Sequence, residues 1–267
     1  MLVFCEESDS AKLVDQTDIP MLEEVPDYEG VIESGRVVII GYNEFLSTIV
    51  FELPENVPNV ILADVDEEYR EEILGSAGQR ETPLTVTFFE KDIMEQAALE
   101  ELAELGDHFI LLSSHKGQDD SSDLRNIFQI MTLRDVRNRK HLQFNISMEL
   151  RQETNQNLLI PDTGTEFVVS SQMSSLFLAQ LSESPELLNA FDELLTNKGN
   201  EIYLKTAKEL HCEGTWSALE LRLRILPQGY VTIGYMDAKT MTSHYDLTLK
   251  TDITLEAEDM LIVIGEN

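Results

Sequence analysis

Cysteine is scarce: the 267 residues hold two, Cys5 and Cys212, far apart and in unrelated contexts. That excludes a disulfide framework or a cysteine-based zinc site and points to a reducing compartment. Positive charge is also scarce. Nineteen Lys and Arg face 50 Asp and Glu, a net charge of −31 at pH 7. A surface of that sign opposes phosphate neutralisation, which removes nucleic acid and anionic lipid from the expected partners. A high-salt host, an attraction for cations and a strongly solvated surface all fit the acidity. No stretch approaches the ~18 to 20 consecutive apolar residues of a membrane span, and no basic segment followed by an apolar one opens the chain. The expectation is a chain that neither spans a membrane nor is secreted. Catalytic signatures are missing too. There is no Gly-x-Ser-x-Gly elbow and no His-Glu-x-x-His, and neither cysteine has a basic partner. His211 beside Cys212 is too short a cluster for a metal site, and the five histidines read as surface or core residues. No catalytic residue is assigned, and an enzyme is not expected.

What is present is a folded composition, 42% hydrophobic and 26% charged, long enough for one large domain or two modest ones. Residues 1–35 form an acidic lead segment with breakers at Pro20 and Pro26. The β-branched run Arg36 to Ile40 then ends at Gly41 and reads as a buried parallel strand. Phe45, Leu46, Ile49, Val50 and Leu53 follow as the stripe of an amphipathic helix stopped by Pro54. The alternation continues through strands at Val60 to Ala63, Leu84 to Phe89, His108 to Ser113 and Leu142 to Ser147. Helices fall at Asp66 to Leu74, Ile93 to Leu105 and Ser122 to Arg137. Strands alternating with helices predict right-handed crossovers and a parallel sheet covered on both faces, so residues 36–150 read as a Rossmann-like α/β lobe.

Residues 151–199 read as a helical crossover and hairpin. A helix is expected around Gln152 to Leu158, a turn at Pro161-Asp162 and a short strand at Phe167 to Val169. The first hairpin helix is capped by Ser170 or Ser171 and carries Met173, Leu176, Phe177 and Leu181 on one face. The second opens with Ser184-Pro185 and runs through Leu187, Leu188, Phe191, Leu194 and Leu195 to Gly199. Residues 200–267 read as a small α+β unit. Its strands are expected at Glu201 to Thr206, Tyr230 to Tyr235, Asp246 to Leu249 and Met260 to Ile264, and its helix is opened by Thr215 and holds Trp216, Leu219 and Leu223.

The loop Gly41-Tyr42-Asn43-Glu44-Phe45 lies where a dinucleotide fold places three glycines, and only the first is present. Tyr42 and Glu44 put bulk and negative charge where phosphates would sit, which disfavours NAD. Asp64 ends the second strand, where an acidic side chain grips a ribose in that pattern. With Asp66, Glu67 and Glu68 it reads either as a ribose contact or hard-cation site, or as the acidic first turn of a helix. The segment from His115 to Asp123 offers Asp120 and Asp123 to a divalent ion, or serves as an N-cap cluster. The candidate ligand-binding residues are Gly41, Asn43, Glu44, Asp64, Asp66, Asp92 and Ser113; the candidate metal ligands are Asp64, Asp66, Asp120 and Asp123.

The order of a Rossmann-like lobe, a helical hairpin and a small α+β unit resembles the cytosolic regulator of K⁺ conductance (RCK) module. The detail is most similar to the C-terminal RCK domain of CASTOR/POLLUX-type ion channels. The residues that carry the resemblance are Arg36-Val-Val-Ile-Ile-Gly41, Asp123-Leu-Arg125, Thr132-Leu-Arg134, Phe167-Val-Val-Ser170, the run Glu186 to Glu201, and Glu258-Asp-Met-Leu-Ile-Val-Ile-Gly265. The resemblance implies a cytoplasmic gating domain that pairs into a homodimer or ring under a cation pore of the same longer chain. It implies a ligand that is Ca²⁺, another cation or a nucleotide; the acidic loops favour a cation. It also implies an interface on the hairpin, with Met173, Leu176 and Phe177 as candidates. Two other readings remain: an NAD(H)-binding sensor or oxidoreductase, motivated by the strand-Gly41-helix opening and Asp64, and a halophilic enzyme, motivated by the charge alone.

Overall fold

The protein is described from a computed structural model that covers residues 35–113, 121–158, 164–196, 199–245, 247 and 252–266. The contacts of the described residues divide the chain into two compact units, one within residues 35–196 and the other within residues 199–266. The acidic lead segment, apart from Gly35, and Asp120 lie outside the described residues.

The first unit is a six-stranded parallel sheet of β1 (Val37–Ile40), β2 (Asn59–Ala63), β3 (Thr85–Phe89), β4 (His108–Leu111), β5 (Asn145–Leu150) and β6 (Thr165–Val169). The strand order is β3-β2-β1-β4-β5-β6, the doubly wound order of dinucleotide-binding folds. β1 lies at the centre, with Ile40 beside Ala63 on one flank and Leu111 on the other. All four of its residues are buried, as a strand covered on both faces requires. The sheet runs past residue 150 into β6, so the crossover segment contributes a strand as well as helices.

Two cores sandwich the sheet. On one face α1 (Leu46–Glu52) and α2 (Glu67–Gly78) set Leu46, Val50, Ile73 and Ala77 against Ile39, Val60 and Leu62. On the other, α3 (Gln96–Ala103) and α4 (Ser121–Lys140) set Leu99, Leu102, Ile130, Leu133 and Val136 against Val38, Phe109, Ile146 and Met148. α1 has only seven residues and no side-chain cap, too short to be stable alone. Leu46 and Val50, both fully buried, hold it, since burying each contributes about 1.5–3 kcal/mol. Beyond β5, the element among the described residues that precedes β6 is a 3-10 turn at Glu153–Leu158. The α1-side face of β4, β5 and β6 therefore presents Ile110, Ser147, Glu149 and Val168, and Ser147 and Val168 are exposed.

β6 leads directly into α5 (Ser170–Glu183), and α6 (Leu187–Leu195) completes a hairpin. The expected caps are not used. Ser170 is already helical, its hydroxyl being drawn to Glu149, and the cap positions Val169 and Glu186 make no side-chain cap bond. Neither helix buries a residue within the chain.

The second unit has a four-stranded antiparallel sheet ordered β10-β9-β12-β7, built from β7 (Glu201–Thr206), β9 (Val231–Asp237), β10 (Thr242–His244) and β12 (Met260–Gly265). A two-stranded pair joins β8 (Gly214–Ser217) and β11 (Asp252–Leu255). One helix, α7 (Ala218–Ile225), packs Leu221 and Ile225 into a core with Leu261, Val263 and the buried Cys212. The helix opens two residues later than Thr215 suggested. Ser217 is the cap and forms a reciprocal capping box with Glu220, while Thr215 and Trp216 are spent on β8. Most of the strand expected at Asp246 to Leu249 lies outside the described residues.

Candidate functional site

The carboxyl ends of the parallel strands gather two polar corners, and each begins with a strained or buried residue of the β-to-α loops. At Gly41 the backbone adopts φ 93°, and a Cβ there would lie 2.8 Å from the Leu112 carbonyl oxygen. Only glycine tolerates both the left-handed conformation and that approach. Its glycine is thus explained by the turn itself. The next two glycine positions of a dinucleotide loop hold Asn43, 2% exposed, and Leu46, fully buried.

Asn43 is turned inward and anchors the first corner. Its Nδ2 donates to Glu149 Oε2 at 2.7 Å and to the Ser113 carbonyl at 3.3 Å, while its Oδ1 accepts from the Phe45 N–H at 3.0 Å. Glu149 Oε2 also accepts from the Ser113 N–H at 3.1 Å, and Oε1 accepts from the Ser170 hydroxyl. One carboxylate thereby joins the β1–α1 loop, the end of β4 and the first residue of α5. Charge-assisted bonds of this kind are the stronger class.

Ser113 and Asp123 continue inward from there. The Ser113 hydroxyl lies 2.9 Å from Asp123 Oδ1 and 3.0 Å from the Glu149 carbonyl, and it accepts from Asn126 Nδ2 at 3.3 Å. Asp123 is 1% exposed. Its carboxylate accepts from the backbone N–H of Arg151 at 3.1 Å and of Gln152 at 3.2 Å, and from Asn155 Nδ2 at 2.7 Å. With the Ser113 hydroxyl in reach, those donors occupy both oxygens and fasten α4 to the chain leaving β5. Its observed work is anchoring.

The second corner lies at the ends of β2 and β3. Asp64 sits in the left-handed region at φ 60°, which Asp tolerates better than most residues, and Arg125 of α4 contacts its Oδ2 at 2.8 Å. Burial raises the Asp64 pKa above the ordinary carboxylate value despite Arg125, and the nearby charges of Asp66 and Asp92 add to the rise. The structure therefore brings Asp64, Asp66 and Asp92 into one corner. Asp92 itself accepts from the Met94 N–H at 2.9 Å, and Glu44 is exposed on the β1–α1 loop. Among the described residues no three acidic, histidine or cysteine side chains are grouped to hold a metal ion.

Between α1 and the open face of β4, β5 and β6 lies a cavity of about 240 Å³ whose surface is almost wholly apolar; Phe45, Ile49, Ile110, Leu112 and Val168 line it, along with Asn43, Ser147, Met148, Glu149 and Ser170. Sequence reasoning did not name Glu149 at all, and it named Ser170 as a helix cap and Arg125 within the RCK-like motifs without making either a site residue. For Glu149 a signal existed: Asn145, Ser147 and Glu149 alternate with the buried Ile146, Met148 and Leu150, so the polar side of a half-covered strand could be read off. Ending that strand at Ser147 hid it.

On the hairpin, Met173 is 44% exposed and Leu176 57%. Phe177 is half-buried against Phe191, ring centroids 5.0 Å apart and nearly perpendicular. Phe177 thus joins the two helices to each other, whereas Met173, Leu176, Leu178, Leu188 and Leu195 face outward.

No family model matches the sequence. Among solved structures, the crystal structure of the GsuK RCK domain is similar at a TM-score of 0.38 and 19% identity, over 88% of this chain and 44% of that one. The chain thus spans less than half the length of that structure. The α/β, Rossmann-like fold is defined by the strand order and parallel register above. Among the described residues no helix is long and apolar enough to cross a membrane.

Proposed function

We propose that the chain is a regulatory domain of the RCK type, working on the cytoplasmic side of a membrane. It assembles as a homodimer or ring and biases the gating of a cation-channel pore carried by the same longer chain. The observation that carries this reading is the hairpin. Two amphipathic helices bury no residue within the chain and hold Leu176 and Leu188 each 57% exposed, a face suited to a second copy. The Glu149 bridge supplies the coupling, because a ligand that disturbs Asn43 or Glu149 also disturbs the first residue of α5. A ligand shifts such an equilibrium only through different affinity for two arrangements, and a site bonded to the hairpin's root is where such a difference would arise. A cation, Ca²⁺ included, is the ligand class that the acidic surface favours.

The test is molecular mass in solution. The wild-type chain is expected at twice the monomer mass or more, and Leu176→Asp with Leu188→Asp is expected to return it to monomer with its circular dichroism unchanged. A wild-type monomer across salt and protein concentration would overturn the reading. The sheet order favours a second reading, a dinucleotide sensor; a saturable thermal shift with NADH and none with cations would select it.

A further inference from the structure

Among the described residues, the four-stranded sheet of the C-terminal unit is covered on one face only. On that face Leu261 and Val263 pack with α7, and Tyr203 and Tyr235 join them. Residues two positions apart in a strand share a face, so the register gives the other side. Ile202, Ile264 and Val231 form one cross-strand row there, Leu204, Ile262 and Gly234 the next, and a third row is centred on Met260. A bulge between Ile262 and Val263 brings Val231 onto this side. A Cβ on Gly234 would lie 3.0 Å from the Tyr245 ring and 3.3 Å from Ile262 Cδ1, so Tyr245 lies over the middle row. None of these residues is charged, in a chain that is 26% charged. Ile202 is 49% exposed, Leu204 55%, Val231 46% and Tyr245 65%. At about 4.8 Å between strands and 3.4 Å per residue, four strands by six residues cover roughly 400 Å², the size of a functional apolar patch. Two such faces together bury about 800 Å², at the weak end of specific contacts, so this face strengthens an assembly that another surface also holds. Charge decides the occupant. Two chains at −31 repel each other and can meet only where charge is absent. A basic partner would be drawn to the acidic surface instead, and an anionic bilayer would repel the chain. Sheets pack face to face about 10 Å apart with interdigitated side chains, and a two-fold axis across this face sets it against itself.

We propose that this charge-free face is a self-association surface, on which the C-terminal sheet of a second copy packs face to face about a two-fold axis. The inference rests on the homo-oligomer reading above and names a second surface of that assembly, distinct from the hairpin.

Charge complementation in the full chain is the test. One variant carries Ile202→Lys with Leu204→Lys, another Ile202→Asp with Leu204→Asp, and association is measured by sedimentation equilibrium at ~0.15 M salt. Each variant alone is expected to associate at least roughly tenfold more weakly than wild type, because like charges then face each other. Mixing the two is expected to recover at least roughly tenfold over either alone, and ~1 M salt to erase that recovery. Both positions are about half exposed, so circular dichroism and Trp216 emission should match wild type. If they do not, Tyr245→Lys and Tyr245→Asp, outside the strands, take their place in the same mixing experiment. Undiminished association of both variants overturns the proposal. So does a loss that mixing fails to recover, since something other than the same face would then lie opposite. A wild-type monomer overturns the homo-oligomer reading as well, whereas a wild-type oligomer unmoved by these variants overturns this surface alone.

Discussion

Replacing Asn43 with alanine isolates the bridge between the β1–α1 loop and the hairpin. The substitution removes a charge-assisted bond to Glu149 at 2.7 Å and the acceptor for the Phe45 N–H at 3.0 Å. A bond to a charged group contributes about 1.5–3 kcal/mol and a neutral one about 0.5–1.5, so the expected loss is about 2–4.5 kcal/mol. The contact to the Ser113 carbonyl at 3.3 Å is too long to add much. Against a total stability of about 5–15 kcal/mol, that is a large fraction. In urea, with a slope of about 2 kcal/mol per molar, the midpoint should fall by about 1–2 M. The assay can be made specific to one unit. The single tryptophan, Trp216, lies in the C-terminal unit, so far-UV circular dichroism follows the whole chain while tryptophan emission follows that unit alone. Coupling is tested by a double-mutant cycle with Glu149→Gln, whose interaction energy should exceed about 1 kcal/mol, because the two side chains touch. A midpoint shift under about 0.25 M in Asn43→Ala, or strict additivity with Glu149→Gln, would refute the bridge.

Two further predictions concern one contact in each unit. Arg36 holds the Asp107 carboxyl at about 2, well below the usual range, by bonding both oxygens from its guanidinium. A depressed carboxylate stabilises the fold above its unfolded value near 3.9 and loses that effect as pH falls toward 2. Asp107→Asn should therefore cost up to about 1 kcal/mol at pH 7, limited by the exposure of the pair, with the difference fading toward pH 2; a pH-independent difference in urea midpoint would contradict the assignment. Ser217→Ala breaks the capping box of α7 and should lower the Trp216-detected midpoint by the equivalent of about 1 kcal/mol, and an unchanged midpoint would show that the cap contributes nothing.

Sequence periodicity carried most of the first unit because its physics is local. The β-branched run Val37–Ile40 is buried throughout, Val60, Leu62 and Ala63 are buried in the strand beside it, and Leu46 and Val50 mark the buried stripe of α1. Where two motifs competed for the same residues the reading failed. Thr215 and Trp216 resemble a helix start but pair with Thr254 and Ile253 across a short ladder, and Ser170 resembles a cap but is held by Glu149, a partner 21 residues away. The site followed the same division. Gly41 and Asn43 were legible from a loop that follows a strand, and the gathering of Asp64, Asp66 and Asp92 agrees with their shared sheet edge. What Asp123 bonds could not be read: its partners come from residues 113 and 151–155, brought near only by the folded sheet.

The absence of any linker between β6 and α5 has a mechanical meaning. Val169 ends the strand and Ser170 begins the helix, so α5 works as a rigid arm clamped at one end. Fourteen residues at about 1.5 Å each make that arm about 21 Å long. A rotation of about 5° at its root would swing the far tip by about 2 Å, the scale on which packed helices shift in switching proteins. Lengthening the junction by two glycines would turn the clamp into a pivot and uncouple the tip from whatever happens at Glu149.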